Sequence, residues 1–594
     1  MRVGLKGVWV MTCWALACGG GGVARTSTNR STLLGDVLGV PQSDGSDAWL
    51  GIPFAAPPVG ALRWRAPQPA ARWAGARPAS VSGPACPQLA LGGVVIGKED
   101  CLTLDVWAPH DQRGLPVMVW IHGGGNTAGG TTQSVGGQLA ASGGVVVVAV
   151  QYRLGPLGWF RQGALRGTSA DPNEQSGNFG TLDLLQALAW VHDNIAAFGG
   201  DPGRVTVFGE SSGGVDVYSL LVSPLASGLF QQAAIESGAL STETTAAAEN
   251  FVDDPTPGDL NSADEVILRL LAHDGVTDRA AAKEVLARLS DAELAAYLRL
   301  QTPAQLLGAY DTQATAGVLH MPSVFCDGTV LPADDWSQHL ARANGWNQVP
   351  VLVGTNLDEA KLFLFANPRA IRWEDGFIPQ FVDEPLYEGV ASALSRMWKA
   401  VGADGPAALM RASGEKDIYA YRFDWRGEPP FWGADLSQML GAAHGVEVPF
   451  VASNFDLGPL GNLLWDAKDT ASRDELSRSM ISYWTTFART GTPNGLAALP
   501  LWSAWDNTSP GAPKFLVLDT PPAGIHSSIE VETPATIVAD VDVDPRLPTQ
   551  KDKCEVYHDV TGAAPGLSKA DYPHLGTIGC AAYPWDAYPW DGTP

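Results

Sequence analysis

The sequence predicts an α/β fold, with a large central, mostly parallel twisted sheet flanked by helices. Three observations predict it. Short runs of aliphatic and β-branched residues recur along the chain, they lead into glycine, and helical apolar spacing follows them. Such runs suit strands covered on both faces, as in a parallel sheet enclosed by helices.

In chain order, residues 1–17 read as an export signal. Arg2 and Lys6 supply its positive end, and Val8 to Ala17 an apolar stretch too short to span a bilayer. The stretch ends Ala15-Leu16-Ala17-Cys18, followed by Gly19 to Gly22. That resembles a bacterial lipoprotein signal, in which Cys18 becomes the lipidated N-terminus of a cell-envelope protein. Ala15 stands where that signal usually has Leu, and a secretory signal cut after a small residue is the alternative. Residues 18–32 form a flexible tether rich in Gly, Ser, Thr and Asn.

The main domain is expected over 33–545. Val117 to Ile121 runs into Gly123-Gly124-Gly125, and Val145 to Val150 into Tyr152-Arg153-Leu154-Gly155. Val205 to Phe208 precedes Gly209, and Val351 to Val353 precedes Gly354. Leu182, Leu185, Leu188, Ala189, Trp190 and Val191 recur at helical spacing. Two regions read as inserts forming a substrate gorge: 240–345, with a helical pattern from Arg279 to Leu300, and the aromatic-rich 360–435. Inserts after the C-terminal ends of strands are where α/β folds build pockets. Residues 546–594 read as a stapled extension.

Composition narrows the class. The chain has 594 residues, 45% apolar and 17% charged, which excludes a disordered chain or a coiled coil. Its formal charge of -25 opposes nucleic-acid binding. Outside the signal, Cys86, Cys101, Cys326, Cys554 and Cys580 remain. In an oxidising compartment the natural pairs are Cys86–Cys101 and Cys554–Cys580. Cys326 reads as a buried apolar residue.

Gly209-Glu210-Ser211-Ser212-Gly213 lies between a strand and a helical run. A sharp strand-to-helix turn presents the central serine hydroxyl, and the helix N-terminus adds positive potential where an oxyanion develops. His122-Gly123-Gly124-Gly125 lets backbone N–H groups converge, so the expected oxyanion donors are Gly124, Gly125 and Ser212. Gly92 to Lys98 matches a phosphate loop only as far as the lysine. Glu99 follows instead of Ser or Thr, and the match is set aside.

A serine needs a neutral imidazole as base and a carboxylate to orient it. Asp358 and Glu359 follow the strand at Val351, and His444 sits beside Gly445, in the order nucleophile, acid, histidine.

Over roughly residues 35–520 the chain resembles the type-B carboxylesterase/cholinesterase family of α/β-hydrolases. The motifs are Gly51 to Gly60, Glu99-Asp100-Cys101-Leu102, the His122 glycine run, Gln151 to Gly155, Gly177-Asn178, Asn194 to Pro202 and the Ser211 turn. The resemblance implies the α/β-hydrolase fold, and Ser211 as nucleophile, Glu359 rather than Asp358 as acid, and His444 as base. It also implies a Cys86–Cys101 disulfide and a structural ion pair between Arg63 and Glu99. Ser212 replaces the more usual alanine, and Gln151 and Leu184 depart from the common Asn and Gln. The implied chemistry is hydrolysis of a small neutral ester through an acyl-serine, without metal or cofactor. The Cys86–Cys101 loop holds no aromatic residue, which disfavours a choline specialist. A related amide, carbamate or polyester bond, or a silent adhesion relative, are the other readings.

Overall fold

A computed structural model describes residues 27–585, apart from 91, 132–134, 168, 241, 311–317, 466–469, 496 and 564–566. The export signal and Cys18 lie outside the described residues. An 11-stranded sheet forms the centre. Its strands, numbered along the chain, are β1 Val40–Pro41, β2 Ser46–Pro53, β3 Thr103–Pro109, β4 Leu115–Ile121, β5 Val146–Val150, β6 Gly200–Glu210, β7 Gln232–Glu236, β8 Val351–Asn356, β9 Ile418–Phe423, β10 Phe515–Leu518 and β11 His526–Ser528. They lie in the order β11-β10-β9-β8-β7-β6-β4-β5-β3-β2-β1. From β5 through β4, β6, β7, β8 and β9 to β10 every pairing is parallel. The margins are antiparallel.

The main helices are α1 Phe179–Asn194, α2 Ser212–Val222, α3 Glu384–Lys399, α4 Thr470–Thr490, α5 Pro534–Val543 and α6 Gln550–Ala563. Strand alternation divides the core into two layers. Val117, Val119 and Ile121 of β4 join a cluster with Leu182 and Leu188 of α1 and Leu220 of α2. Met118 and Trp120 face the other way, toward Met480, Trp484 and Phe487 of α4. This double coverage is why the sequence shows continuous apolar runs rather than alternation.

The region expected to be helical from Arg279 to Leu300 is two helices, Arg279–Arg288 and Asp291–Leu300. Ser290 breaks it by capping the second helix, with Glu293 reciprocating. Cys326 differs from expectation in being partly exposed and free. Cys86–Cys101 and Cys554–Cys580 are disulfides. Arg63 and Glu99 form a two-pronged ion pair at 2.7 and 2.5 Å, and Arg63 also donates to the Gln301 carbonyl at 2.6 Å. A third apolar cluster joins α3 to Ile537, Leu547, Val556, Tyr557 and the Cys554–Cys580 bridge. Among the described residues no helix is long and apolar enough to cross a membrane.

Candidate active site

The candidate residues stand at or beyond the C-terminal ends of β4, β6, β8 and β9, the edge at which parallel α/β sheets present their ligands. Ser211 is the single residue between β6 and α2. Its φ of 58° and ψ of -126° form a sharp non-helical turn, and its N–H donates to the Glu236 carbonyl on β7 at 2.9 Å. Ser211 is only partly buried, whereas the residues around it are closed off.

The glycine run after β4 lies against this turn. A Cβ on Gly123 would fall 2.6 Å from the Glu210 carbonyl oxygen and 2.9 Å from Ser211 Cβ. Gly124 and Gly125 adopt φ of 114° and 61°, backbone that favours glycine. Among the described residues no backbone acceptor pairs with the N–H of either. Ser212 Oγ accepts the Asn126 N–H at 3.0 Å, so the hydroxyl that replaces the usual alanine methyl ties the glycine loop to α2. Tyr152 supports the same loop, donating its hydroxyl to the His122 carbonyl at 2.6 Å.

Glu359 and His444 meet from separate loops. Glu359 Oε2 lies 2.6 Å from His444 Nδ1, while Oε1 accepts the Asn356 N–H at 2.7 Å. Asn356 Nδ2 donates to the Ala443 carbonyl at 2.8 Å, fixing the histidine loop to the end of β8. Asp358 turns away. It forms a two-pronged pair with Arg426 at 2.6 and 2.7 Å, and it accepts the Ala442 N–H at 3.2 Å. His444 Nε2 is buried and makes no hydrogen bond, so the link to Ser211 is open in this structure. Catalytic hydrogen bonds are often long without substrate.

Comparison with known proteins gives the family of the chain. The pattern of the family described as "Carboxylesterase family" matches residues 23–383 and 382–535. The chain belongs to the carboxylesterase family. It is an α/β-hydrolase-fold carboxylic-ester hydrolase. It is similar to the para-nitrobenzyl esterase of Bacillus subtilis (strain 168), at 33% identity over 78% of this chain and 90% of the relative. It is also similar to the fumonisin B1 esterase of Sphingopyxis macrogoltabida, at 35% over 78% and 82%, and to human cocaine esterase, at 32% over 86% and 92%. A solved PNB esterase structure superposes with a TM-score of 0.64 at 30% identity, covering 85% of this chain and 97% of that one.

The esterase surrounds its histidine with more acid than the sequence reading anticipated. Glu210 Oε1 lies 3.2 Å from His444 Nε2. Ser237 on the loop after β7 donates to Glu447 at 3.0 Å, and Trp484 of α4 donates to Glu236 at 2.7 Å. Burial opposes a charge on His444, but Glu210 and Glu359 overcome it and raise its pKa to about 9. Burial likewise raises the Glu210 carboxyl, with His444 pulling it back, and pushes Glu236 up to about 8. His122 has no such partners, and burial lowers it to about 4.

Glu210 lies in the Gly209 to Gly213 motif, one before the serine, and Glu447 stands three after the histidine. Nothing in sequence spacing marks Glu236, or Asp216, whose buried carboxyl lies 3.4 Å from Asn126 Nδ2. Nor does spacing mark Trp398 and Phe363, whose rings lie 4.6 and 5.4 Å from the His444 ring. The described residues hold no grouping of His, Cys, Asp and Glu suited to a metal ion.

Proposed function

We propose that Ser211 is the nucleophile of an acyl-serine mechanism, with His444 as base and Glu359 as its orienting acid. The observation that carries this is the buried 2.6 Å contact between Glu359 and His444 Nδ1. It leaves Nε2 as the ring nitrogen turned toward the Glu210-Ser211 turn, 3.2 Å from Glu210 Oε1. The imidazole takes the Ser211 proton as the hydroxyl attacks the ester carbonyl. It then returns that proton to the departing alkoxide, leaving an acyl-serine, and water repeats the cycle to release the acid. The N–H groups of Gly124, Gly125 and Ser212 face the developing oxyanion, each worth about 2.7–4 kcal/mol where such donors have been removed.

The substrate is a neutral carboxylic ester of short to medium acyl chain. Relatives named as esterases support a carboxylic-ester substrate, and the Cys86–Cys101 loop has no aromatic residue to hold a choline group. The protein is exported, with Cys18 as its lipid attachment point. The two disulfides suit an oxidising compartment. The test is hydrolysis of p-nitrophenyl acetate and butyrate by wild type and by Ser211→Ala. The variant is expected to lose at least ~10⁴-fold in kcat, and equal rates would overturn the mechanism.

A further inference from the structure

The C-terminal extension has no role in the chemistry above, yet it packs on a helix that touches both loops of the acid–histidine pair. One face of α3 points to the site. Ser395 Oγ accepts the N–H of Ala360, the residue after Glu359, at 3.0 Å. Glu388 holds the Lys361 ammonium at 3.0 Å, and Tyr387 donates to the Met439 carbonyl on the approach to His444 at 2.5 Å. Trp398 lies with its ring 4.6 Å from that of His444, and its indole N–H donates to the Ser237 carbonyl at 3.0 Å. Tyr387, Ser395 and Trp398 lie on one helical face.

The other face is held by the end of the main domain and by the extension. Arg396 reaches both oxygens of Glu532 at 2.9 Å and Asp540 on α5 at 2.7 Å. A Cβ on Gly389 would fall 3.0 Å from Leu547, so the extension lies directly against the helix. Arg546 donates to the Glu388 carbonyl at 3.3 Å, and Arg369, ahead of α3, pairs with Glu555 of α6 at 3.0 Å. Cys554–Cys580 ties α6 to the loop after it inside this apolar cluster.

We propose that the C-terminal segment from Glu532 to Cys580, the end of the main domain together with the extension, is a positioning element: through α3 it fixes Glu359 and His444, with Trp398 and Ser395 as the residues that transmit its position. The inference rests on the Ser211, Glu359 and His444 reading. A helix clamped on both faces cannot shift without moving the Ala360 N–H and the indole against His444. Displacements of about 1 Å in such support can cost on the order of 100-fold in rate.

The test uses the full chain. Active-site labelling of wild type by a fluorophosphonate comes first: labelling that persists in Ser211→Ala overturns the catalytic reading and this inference with it. With labelling at Ser211 established, Arg396→Gln, the double variant Cys554→Ala/Cys580→Ala, and Trp398→Ala are compared. Each is expected to lower kcat on p-nitrophenyl acetate and the phosphonylation rate by the same factor, roughly tenfold or more. KM should stay within about twofold, and Trp398→Phe should recover most of the loss. If the double cysteine variant does not fold, Arg396→Gln decides alone. The inference is overturned if the extension variants melt at lower temperature but keep wild-type kcat, labelling rate and pH profile.

Discussion

Glu210→Gln removes a charge 3.2 Å from Nε2 of His444 while keeping the side chain's size. At an effective dielectric of ~20, two unit charges at that distance interact by about 5 kcal/mol. Only part of this acts near neutral pH, because burial raises the Glu210 carboxyl and leaves it partly protonated. With each pK unit worth about 1.4 kcal/mol, a fall of about 1–2 units in the His444 pKa is expected. The acid limb of kcat/KM for p-nitrophenyl acetate reports the base of the free enzyme. In wild type it should lie above the ordinary imidazole value, since His444 is raised to about 9, and in Glu210→Gln it should move to lower pH. Stability follows the same group. A pKa raised on folding from ~6.5 adds stability that is complete below that value and is lost as pH rises through the folded pKa of about 9. The variant should therefore show a smaller loss of thermal stability across that window. An acid limb that stays in place or moves to higher pH would refute the assignment of Glu210 as the charge that holds the imidazolium.

Three further outcomes follow from packing. Gly123→Ala puts a methyl 2.6 Å from the Glu210 carbonyl, so kcat should fall, with destabilisation of about 1–3 kcal/mol in urea titration. Arg63→Ala leaves Glu99 without its two-pronged partner and the Gln301 carbonyl without its 2.6 Å donor. Loss of such a buried partner typically costs about 3–5 kcal/mol, which denaturant titration would register while the pH profile of kcat/KM stays put. Cys86→Ala/Cys101→Ala opens a bridge of sequence separation 15. It should cost about 3 kcal/mol on the chain-entropy estimate, and an unchanged melting temperature would contradict that.

The sequence by itself determined the scaffold and marked Ser211 and His444, and the family resemblance chose Glu359 over Asp358 as the acid proposed with them. A parallel strand buried on both faces must be an unbroken apolar run, and a strand-to-helix turn that presents a serine must be lined by small residues. Val117 to Ile121, Val205 to Phe208 and the Ser211 turn could therefore be read directly. The approach of Glu359 to His444 could be anticipated only through order along the chain and family resemblance. The tertiary structure alone decided the rest. The acids Glu210 and Glu447 that act on one imidazole come from β6 and the loop after His444, and the Trp398 wall comes from a helix far along the chain. Burial and charge proximity set the pKa values there. Both are properties of distance in space, which residue spacing along a chain does not encode.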